Sequence, residues 1–136
     1  MAYRIGNKHP LDLLNRRKSI GFSLPFSGPA VFNPTFSTKD QIKSNLINYF
    51  LTNRGERVFN PFFGADLRRK LFENITTENT TTFLKTIQAG LKQYFPDVKI
   101  EELDIKTNPD RNYFNIKLSY SVIKFNINDS INLTLE

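Results

Sequence analysis

Two acidic side chains, Glu56 and Asp66, flank a short aromatic loop and are the residues whose types could best support catalysis. Two carboxylates that face each other across a sugar can hydrolyse a glycosidic bond, one as general acid and the other as base or nucleophile. Nothing in the sequence sets the distance between them. Each also has a structural interpretation. Glu56 lies between Arg54 and Arg57, which predicts a salt-bridged loop. Asp66 is placed to cap a helix.

Other catalytic and cofactor chemistry lacks the residues that it needs. The chain has no Cys, which excludes thiol catalysis, disulfides and cysteine metal sites. Its one histidine, His9, lies beside Pro10 in a sequence context typical of neither a metal site nor a Ser–His pair. The isolated glycines match no phosphate-binding or dinucleotide-binding fingerprint. We therefore expect no enzyme activity, no metal and no cofactor.

Positive charge is concentrated near the N-terminus. The 136 residues carry a formal net charge of +6, and residues 1–37 contribute +4 of it through five basic side chains and one acidic one. Glycines and prolines interrupt this segment, yet it is rich in Phe, so we predict an extended basic arm that lies against its own domain or a neighbour. Its candidate contact residues are basic or aromatic: Arg16, Arg17, Lys18, Phe22, Phe26 and Phe32.

The chain shows no feature that would bring it to a membrane. No apolar run approaches the roughly 20 residues of a membrane-spanning helix, and no apolar segment typical of a signal peptide follows the basic N-terminus. We expect assembly in the cytoplasm and no membrane partner.

Residues 38–136 show the periodicities of an α+β domain. A helix is predicted over about 39–51, with Thr38 and Gln41 as its capping box. A short helix is predicted from Asp66 through Phe72, and a third over about 80–95. The apolar faces of the two longer helices comprise Ile42, Leu46, Tyr49 and Phe50 in one, and Leu84, Ile87, Leu91, Tyr94 and Phe95 in the other.

Alternating apolar residues after Pro96 predict three strands. The first, over 98–105, changes its phase of alternation near Glu101-Glu102, which indicates a bulge or a break. The clearest strand follows a turn at 108–111 and covers 114–122. The third follows a turn predicted at 128–130 and carries Ile131, Leu133 and Leu135. We predict three helices packed on one face of a small three-stranded antiparallel sheet.

The loop between the first two helices has the most organised sequence of the chain. Gly55 and Gly64 are suited to tight turns, and Val58-Phe59 is predicted to be extended before Pro61. We expect Phe59, Phe62 and Phe63 to anchor this loop. The charges of Arg54, Glu56 and Arg57 either brace it from within, which we favour, or face a partner. This arrangement favours a shaped joint between proteins over an active site.

The same loop resembles the baseplate wedge family of contractile phage tails, the sheath-initiator proteins that also occur in type VI secretion baseplates. The resemblance extends over about Thr38 to Leu135, in the order helix, loop, short helix, long helix and three strands. Four pieces carry it: the turn Arg54-Gly55-Glu56-Arg57, then Phe59-Asn60-Pro61, then Phe63-Gly64-Ala65-Asp66-Leu67, and then Leu71-Phe72-Glu73.

The resemblance implies a structural protein of the virion tail baseplate. Members of this family initiate sheath polymerisation by strand exchange and dock onto the wedge core. The implied partners are the sheath protein and other baseplate wedge proteins, with the tail tube as a further candidate. Many members carry Glu-Pro-Arg where the long helix ends, whereas this chain has Phe95-Pro96-Asp97, so only Pro96 is shared and the charged docking contacts are not carried over.

Three alternatives to sheath initiation stay open at this stage. A small nucleic-acid-binding module would use the basic arm, and its binding would be strongly salt-dependent. A glycan hydrolase would use Glu56 and Asp66. A bacterial anti-adaptor that protects a stress sigma factor also shares the domain, but it lacks a basic arm of this kind.

Overall fold

A computed structural model describes residues 19–26, 32–71, 73, 77–108 and 113–135 of the chain. These residues form three α-helices and two antiparallel sheets, which confirms the predicted α+β class. The chain divides into two compact units at Asn48 and Tyr49, within the first helix. The basic run at Arg16–Lys18, like His9, lies outside the described residues.

The N-terminal unit contains a two-stranded sheet that the sequence pattern did not predict. Strand β1 (Gly21–Phe22) pairs with strand β2 (Pro34–Thr35) in antiparallel register. Each strand has only two residues, which is too short to produce a recognisable alternation. Farther along the same unit, the hydroxyl of Thr35 donates to Oε1 of Gln41 at 2.6 Å. The backbone N–H of Leu24 donates to Oγ of Ser44 at 3.3 Å, so the described part of the arm packs within its own unit.

Helix α1 spans Thr38–Leu51 and begins at a different cap from the predicted one. The cap is Ser37, whose Oγ accepts from the backbone N–H of Asp40 at 3.1 Å and donates to Oδ2 of Asp40 at 2.6 Å. The prediction of a box formed by Thr38 and Gln41 is therefore wrong by one residue, and the Oγ1 of Thr38 is buried without a hydrogen-bond partner among the described residues. The predicted apolar face of the helix is buried as expected: Ile42, Leu46, Tyr49 and Phe50.

The C-terminal unit contains helices α2 (Leu67–Leu71) and α3 (Thr77–Tyr94). Helix α3 begins three residues before the predicted start, in a threonine-rich stretch whose β-branched side chains lower helix propensity. Its buried stripe contains Phe83 where Leu84 was predicted, and Leu84 is half-buried. Phe72, the predicted end of the short helix, lies outside the described residues.

A three-stranded antiparallel sheet completes the C-terminal unit, in the order β3 (Lys99–Asn108), β4 (Tyr113–Val122) and β5 (Ile127–Leu135). The register shifts between Ile100 and Glu102, which confirms the predicted bulge. The turn predicted at 108–111 falls largely outside the described residues. Both β3 and β5 pair only with β4 in the described part of the chain, so each forms an edge.

The turn predicted at 128–130 is wrong, because these residues lie within β5. The chain instead reverses through a 3₁₀ turn at Ile123–Phe125, and Asn126 follows in the left-handed region with φ 49°. Asn is among the few residues that adopt this conformation readily. Asn, Asp and Ser at 128–130 occupy an edge strand rather than a loop.

One face of the sheet is buried. The strand β4 alternates as predicted, and its buried side chains are Ile116, Leu118, Tyr120 and Val122. Each neighbouring strand adds one buried side chain, Ile105 from β3 and Ile131 from β5. Helix α3 contacts β3. Packing of all three helices on this one face remains a prediction.

The cap of α1 gives a first test. The substitution Ser37→Ala removes a hydrogen bond to the first turn of the helix, and we expect the free energy of unfolding to fall by about 1 kcal/mol. The matched control is Thr38→Ala, which removes a hydroxyl that has no hydrogen-bond partner and should cost less. Urea denaturation measures both variants, and a larger loss for Thr38→Ala would contradict the assignment of Ser37 as the cap.

Candidate docking site

The loop at residues 52–66, called the docking loop below, is closed by backbone hydrogen bonds at its base and across its middle. The N–H of Ala65 donates to the carbonyl oxygen of Tyr49 at 3.0 Å, where α1 ends. The N–H of Gly55 donates to the carbonyl oxygen of Pro61 at 2.7 Å. Such backbone pairing makes the loop compact rather than extended into solvent.

Two glycines adopt conformations that L-residues rarely adopt. Gly55 has φ +91° and Gly64 has φ +123°. The two sites differ in their surroundings, because a Cβ at Gly55 would meet no atom within 4 Å, whereas a Cβ at Gly64 would overlap the carbonyl oxygen of Thr52. The predicted turns are therefore confirmed, and Gly64 is also needed for a close approach of two backbone segments.

Phe63 anchors the docking loop. Its side chain is fully buried, and its ring lies edge-on to Tyr49 and Tyr94, with centroid distances of 5.3 and 5.1 Å. On its other side, the guanidinium Cζ of Arg57 lies 3.8 Å from the centroid of the Phe63 ring. Arg57 thus braces the loop through a cation–π contact, which typically contributes about 0.5–1 kcal/mol at an exposed site.

The other two predicted anchors are not buried. Phe59 is fully exposed and Phe62 is 75% exposed, and the neighbouring Val58 is 88% exposed. The prediction that Val58-Phe59 is extended is also wrong, because these residues form a turn in which the N–H of Asn60 donates to the carbonyl oxygen of Arg57 at 3.3 Å. The turn directs apolar side chains into solvent, which is typical of an interaction site.

The two carboxylates considered for catalysis have separate structural roles. The backbone N–H and the side-chain amide of Asn53 donate to the Glu56 carboxylate at 3.0 and 2.7 Å. Asn53 therefore holds this carboxylate through two hydrogen bonds. Asp66 precedes α2 as predicted, but it has φ +57° and its carboxylate lies 3.8 Å from Arg69.

Two adjoining grooves flank the docking loop along α3. The larger, of about 670 Å³, lies between the loop and the helix, and the smaller, of about 360 Å³, extends toward α2. Asp66 lines the smaller groove, and Glu56 lines neither. These cavities do not bring the two carboxylates together, which argues against the arrangement that glycoside hydrolysis needs.

Tyr49 connects α1, the docking loop and α3. Its hydroxyl fills the space beside Gly90 of α3, where a Cβ would overlap it. Burial raises the pKa of Tyr49 to about 12, and the nearby Arg54 opposes part of this rise. The hydroxyl of the adjacent Tyr94 approaches Oδ1 of Asn60 at 3.5 Å, a long contact that links α3 to the loop.

The remaining predicted site residues lie elsewhere. Pro96 lies two residues after Tyr94, the last residue of α3, and is exposed. On β5, Ile131 is buried, and Leu133 and Leu135 are half-buried. In the N-terminal unit, three exposed phenylalanines stack edge-on, with centroid distances of 5.4 Å for the pair Phe22–Phe32 and 5.3 Å for the pair Phe26–Phe32.

The sequence interpretation missed Asn53 and Asn60. Asn53 lies at the first position of the turn and pairs with the side chain three residues later, a role for which Asn is favoured. The four-residue run Asn53-Arg54-Gly55-Glu56 contained that signal. No comparable local signal marks Asn60, whose partner Tyr94 is distant in sequence.

Neither metal binding nor membrane insertion is indicated by the described residues. They contain no group of three or more His, Cys, Asp or Glu side chains arranged to hold a metal ion. None of the described helices has both the length and the apolar character to cross a membrane.

Comparison with known proteins identifies the family. A family model described as baseplate wedge protein gp25 matches residues 37–126. Over 84 residues the chain is 33% identical to the baseplate wedge protein gp25 of Enterobacteria phage T4, a match that covers 60% of this chain and 62% of the phage protein. The chain thus spans less than two thirds of the length of that relative.

Solved structures share the fold. A Geobacter sulfurreducens protein described provisionally as a tail lysozyme matches with a TM-score of 0.62 and 20% identity, over 73% of this chain and 90% of that chain. A chain of the anti-feeding prophage baseplate matches with a TM-score of 0.58 and 19% identity, over 74% and 82%.

The class of protein that these matches define is the structural baseplate wedge component of a contractile tail. The chain belongs to the baseplate wedge protein gp25 family. This membership favours a structural role over an enzymatic one, and the likeness to the Geobacter protein, at 20% identity, concerns the fold alone.

The two loop glycines give a second test. The substitution Gly55→Ala introduces only backbone strain, for which we expect a loss of about 1–2 kcal/mol. The substitution Gly64→Ala adds an overlap with the Thr52 carbonyl and should cost more. Chemical denaturation of both variants measures the difference, and equal losses would contradict a close backbone approach at Gly64.

The raised pKa of Tyr49 gives a third test. Because the pKa is about 12 in the folded state and 10.0 is the ordinary value, the unfolded state loses this proton first as pH rises. Its contribution to stability is complete below pH 10 and is lost toward pH 12, by about 2 kcal/mol at about pH 11.5. Denaturation curves of the wild type and the variant Tyr49→Phe should therefore converge as pH rises over this range. A constant difference between them would contradict the assignment.

Proposed function

We propose that this protein is a baseplate wedge component of a contractile phage tail that initiates sheath assembly by pairing β5 with a strand of a sheath subunit. It docks onto the wedge core through the docking loop. The virion baseplate is its site of action, and assembly takes place in the host cytoplasm. Its partners are the sheath protein and other wedge proteins, with the tail tube as a further neighbour.

The observation that carries the strand-pairing proposal is the difference between the two sheet edges. Strand β3 has a bulge and five charged side chains: Lys99, Glu101, Glu102, Asp104 and Lys106. Bulges and charges are the features that protect an edge from pairing with another chain. Strand β5 is regular in register and carries Asp129 as its one charged side chain. It therefore offers the more receptive edge.

The side chains of β5 also indicate what an incoming strand must supply. Ile131, Leu133 and Leu135 lie on the same face as the buried residues of β4, opposite Leu118, Ile116 and Phe114 respectively. Because Leu133 and Leu135 are only half-buried, apolar side chains on that face of an added strand would bury them further. Main-chain hydrogen bonds would then provide affinity, and the alternating side chains would provide register.

Docking onto the wedge core is supported by the exposed residues of the docking loop. Val58, Phe59 and Phe62 are held outward by a loop whose base is fixed by Phe63. A preorganised loop loses less conformational entropy on binding than a mobile one does. These side chains are therefore suited to be buried by a partner.

The division of the chain into an arm at 1–37 and a domain at 38–136 belongs to the same proposal.

A charged side chain on the inner face of β5 tests sheath initiation. We expect Leu133→Lys to prevent strand pairing, because a charge that points inward at an edge blocks addition of another strand. In a particle that encodes this chain, with the gene deleted and supplied from a plasmid, negative-stain electron microscopy should find baseplates or tubes without sheath.

The matched control is Leu103→Lys on the opposite edge strand. Leu103 is also half-buried and lies opposite Leu118 of β4, so the two variants should lose similar stability. Sheathed tails with Leu103→Lys but not with Leu133→Lys would support pairing at β5. Sheathed tails at the wild-type frequency with Leu133→Lys would contradict it.

A further inference from the structure

The larger groove beside the docking loop, called the basic groove below, has an unbalanced charge. Arg54 contributes one cation from the loop and Lys85 another from α3, and both side chains are exposed. The described residues that line this groove include no carboxylate. Neither cation forms an ion pair with another described residue, so the positive potential of the groove is not neutralised from within.

The adjoining smaller groove provides an internal comparison. Arg54 lines both grooves, but the other two cations of the smaller groove have acidic partners in the same segment: Arg69 lies 3.8 Å from Asp66, and Lys70 pairs with Glu73. Both grooves belong to the same unit and share α3 as a wall. The smaller groove therefore has three cations and two carboxylates, whereas the basic groove has two cations and no carboxylate among its described lining residues.

The shape of the basic groove favours a helical occupant. The residues that α3 contributes run from Thr82 to Tyr94 and recur with the period of one helix face, which corresponds to a stripe about 18 Å long. Ala89 within it is small and exposed, and it permits a close approach of another backbone. The central N–H and C=O groups of a helix are paired within the helix. A strand therefore cannot bind to this wall through main-chain hydrogen bonds. A second helix can pack along it through side chains.

The basic groove also has an exposed aromatic side chain in its lining. Phe62 lines it and is 75% exposed. An occupant therefore needs acidic side chains for Arg54 and Lys85, and an apolar residue for Phe62.

We propose that the basic groove binds an acidic amphipathic helix of a neighbouring protein, whose Asp or Glu side chains pair with Arg54 and Lys85 and whose apolar face covers Phe62. This proposal deepens the proposed function, since it places that neighbour in the baseplate. Because the pairs form at the protein surface, binding should weaken as ionic strength rises.

A site-specific photo-crosslink identifies the occupant. Ala89 lines the groove and is exposed, so a photo-reactive amino acid can replace it without disturbing the core. The crosslink is formed in assembled particles, and the attached peptide is sequenced by mass spectrometry. A segment with acidic residues at helical spacing supports the proposal. A segment without them, a nucleic acid, or the absence of any crosslink in assembled particles overturns it.

Charge reversal provides an independent measurement. We expect Lys85→Glu and Arg54→Glu to reduce co-purification with the co-expressed baseplate proteins of the same particle at least about tenfold, which corresponds to about 1.4 kcal/mol. The matched controls are Lys92→Glu on α3 and Arg68→Glu on α2, which are exposed residues outside the groove. Circular dichroism verifies that all four variants fold.

The outcomes separate this proposal from sheath initiation. Loss of binding with both groove variants and not with the controls supports the acidic helix. Equal binding by all four variants overturns it, whatever the Leu133→Lys variant does to the sheath. Normal sheath formation with Leu133→Lys would instead overturn strand pairing and leave the groove measurement valid.

Discussion

The packing of Phe63 between Tyr49 and Tyr94 is the interaction on which the C-terminal unit's surface depends. Edge-to-face aromatic pairs typically add about 0.5–1.5 kcal/mol beyond the area that they bury. Here they join the end of α1, the docking loop and the end of α3. The guanidinium of Arg57 stacks on the same ring. If the ring were removed, the turn at Val58-Phe59 and the loop wall of the basic groove would both lose their support.

The docking loop separates structural from interacting side chains within a few residues. Phe63 is buried and Phe62 is exposed, although they are adjacent and chemically identical. The polar residues divide in the same way, since Asn53 and Glu56 satisfy each other while Arg54 faces the groove. Buried polar atoms need partners from their own chain. An exposed cation in a groove without acids has no such requirement and remains available to another protein.

Apolar periodicity predicted those parts of the fold in which one face of an element is buried. It predicted the face of α1, the alternation of β4 and the bulge in β3, because burial imposes a period on each. It could not separate Ser37 from Thr38 as a cap, since both residues can cap a helix and each has a suitable partner three positions later. It misplaced the final turn, because Asn128, Asp129 and Ser130 are turn-forming types that here occupy an edge strand.

The candidate site was harder to predict than the fold, for a physical reason. A sequence records that Phe59 and Phe62 are apolar, but not whether their own chain or another protein covers them. The resemblance to the baseplate wedge family supplied the class of partner, and the glycines supplied the turns. The distribution of charge between two grooves depends on contacts between loop, α2 and α3, which no local pattern contains.

The unequal edges of the sheet have a consequence for stoichiometry. A sheet with two receptive edges could add strands on both sides and propagate into an open-ended stack of its own copies. Under the proposed pairing, the bulge and charges of β3 leave one receptive edge per chain, and each copy would accept a single strand directly. The number of strands that an assembly could start in this way would then equal its number of copies of this chain.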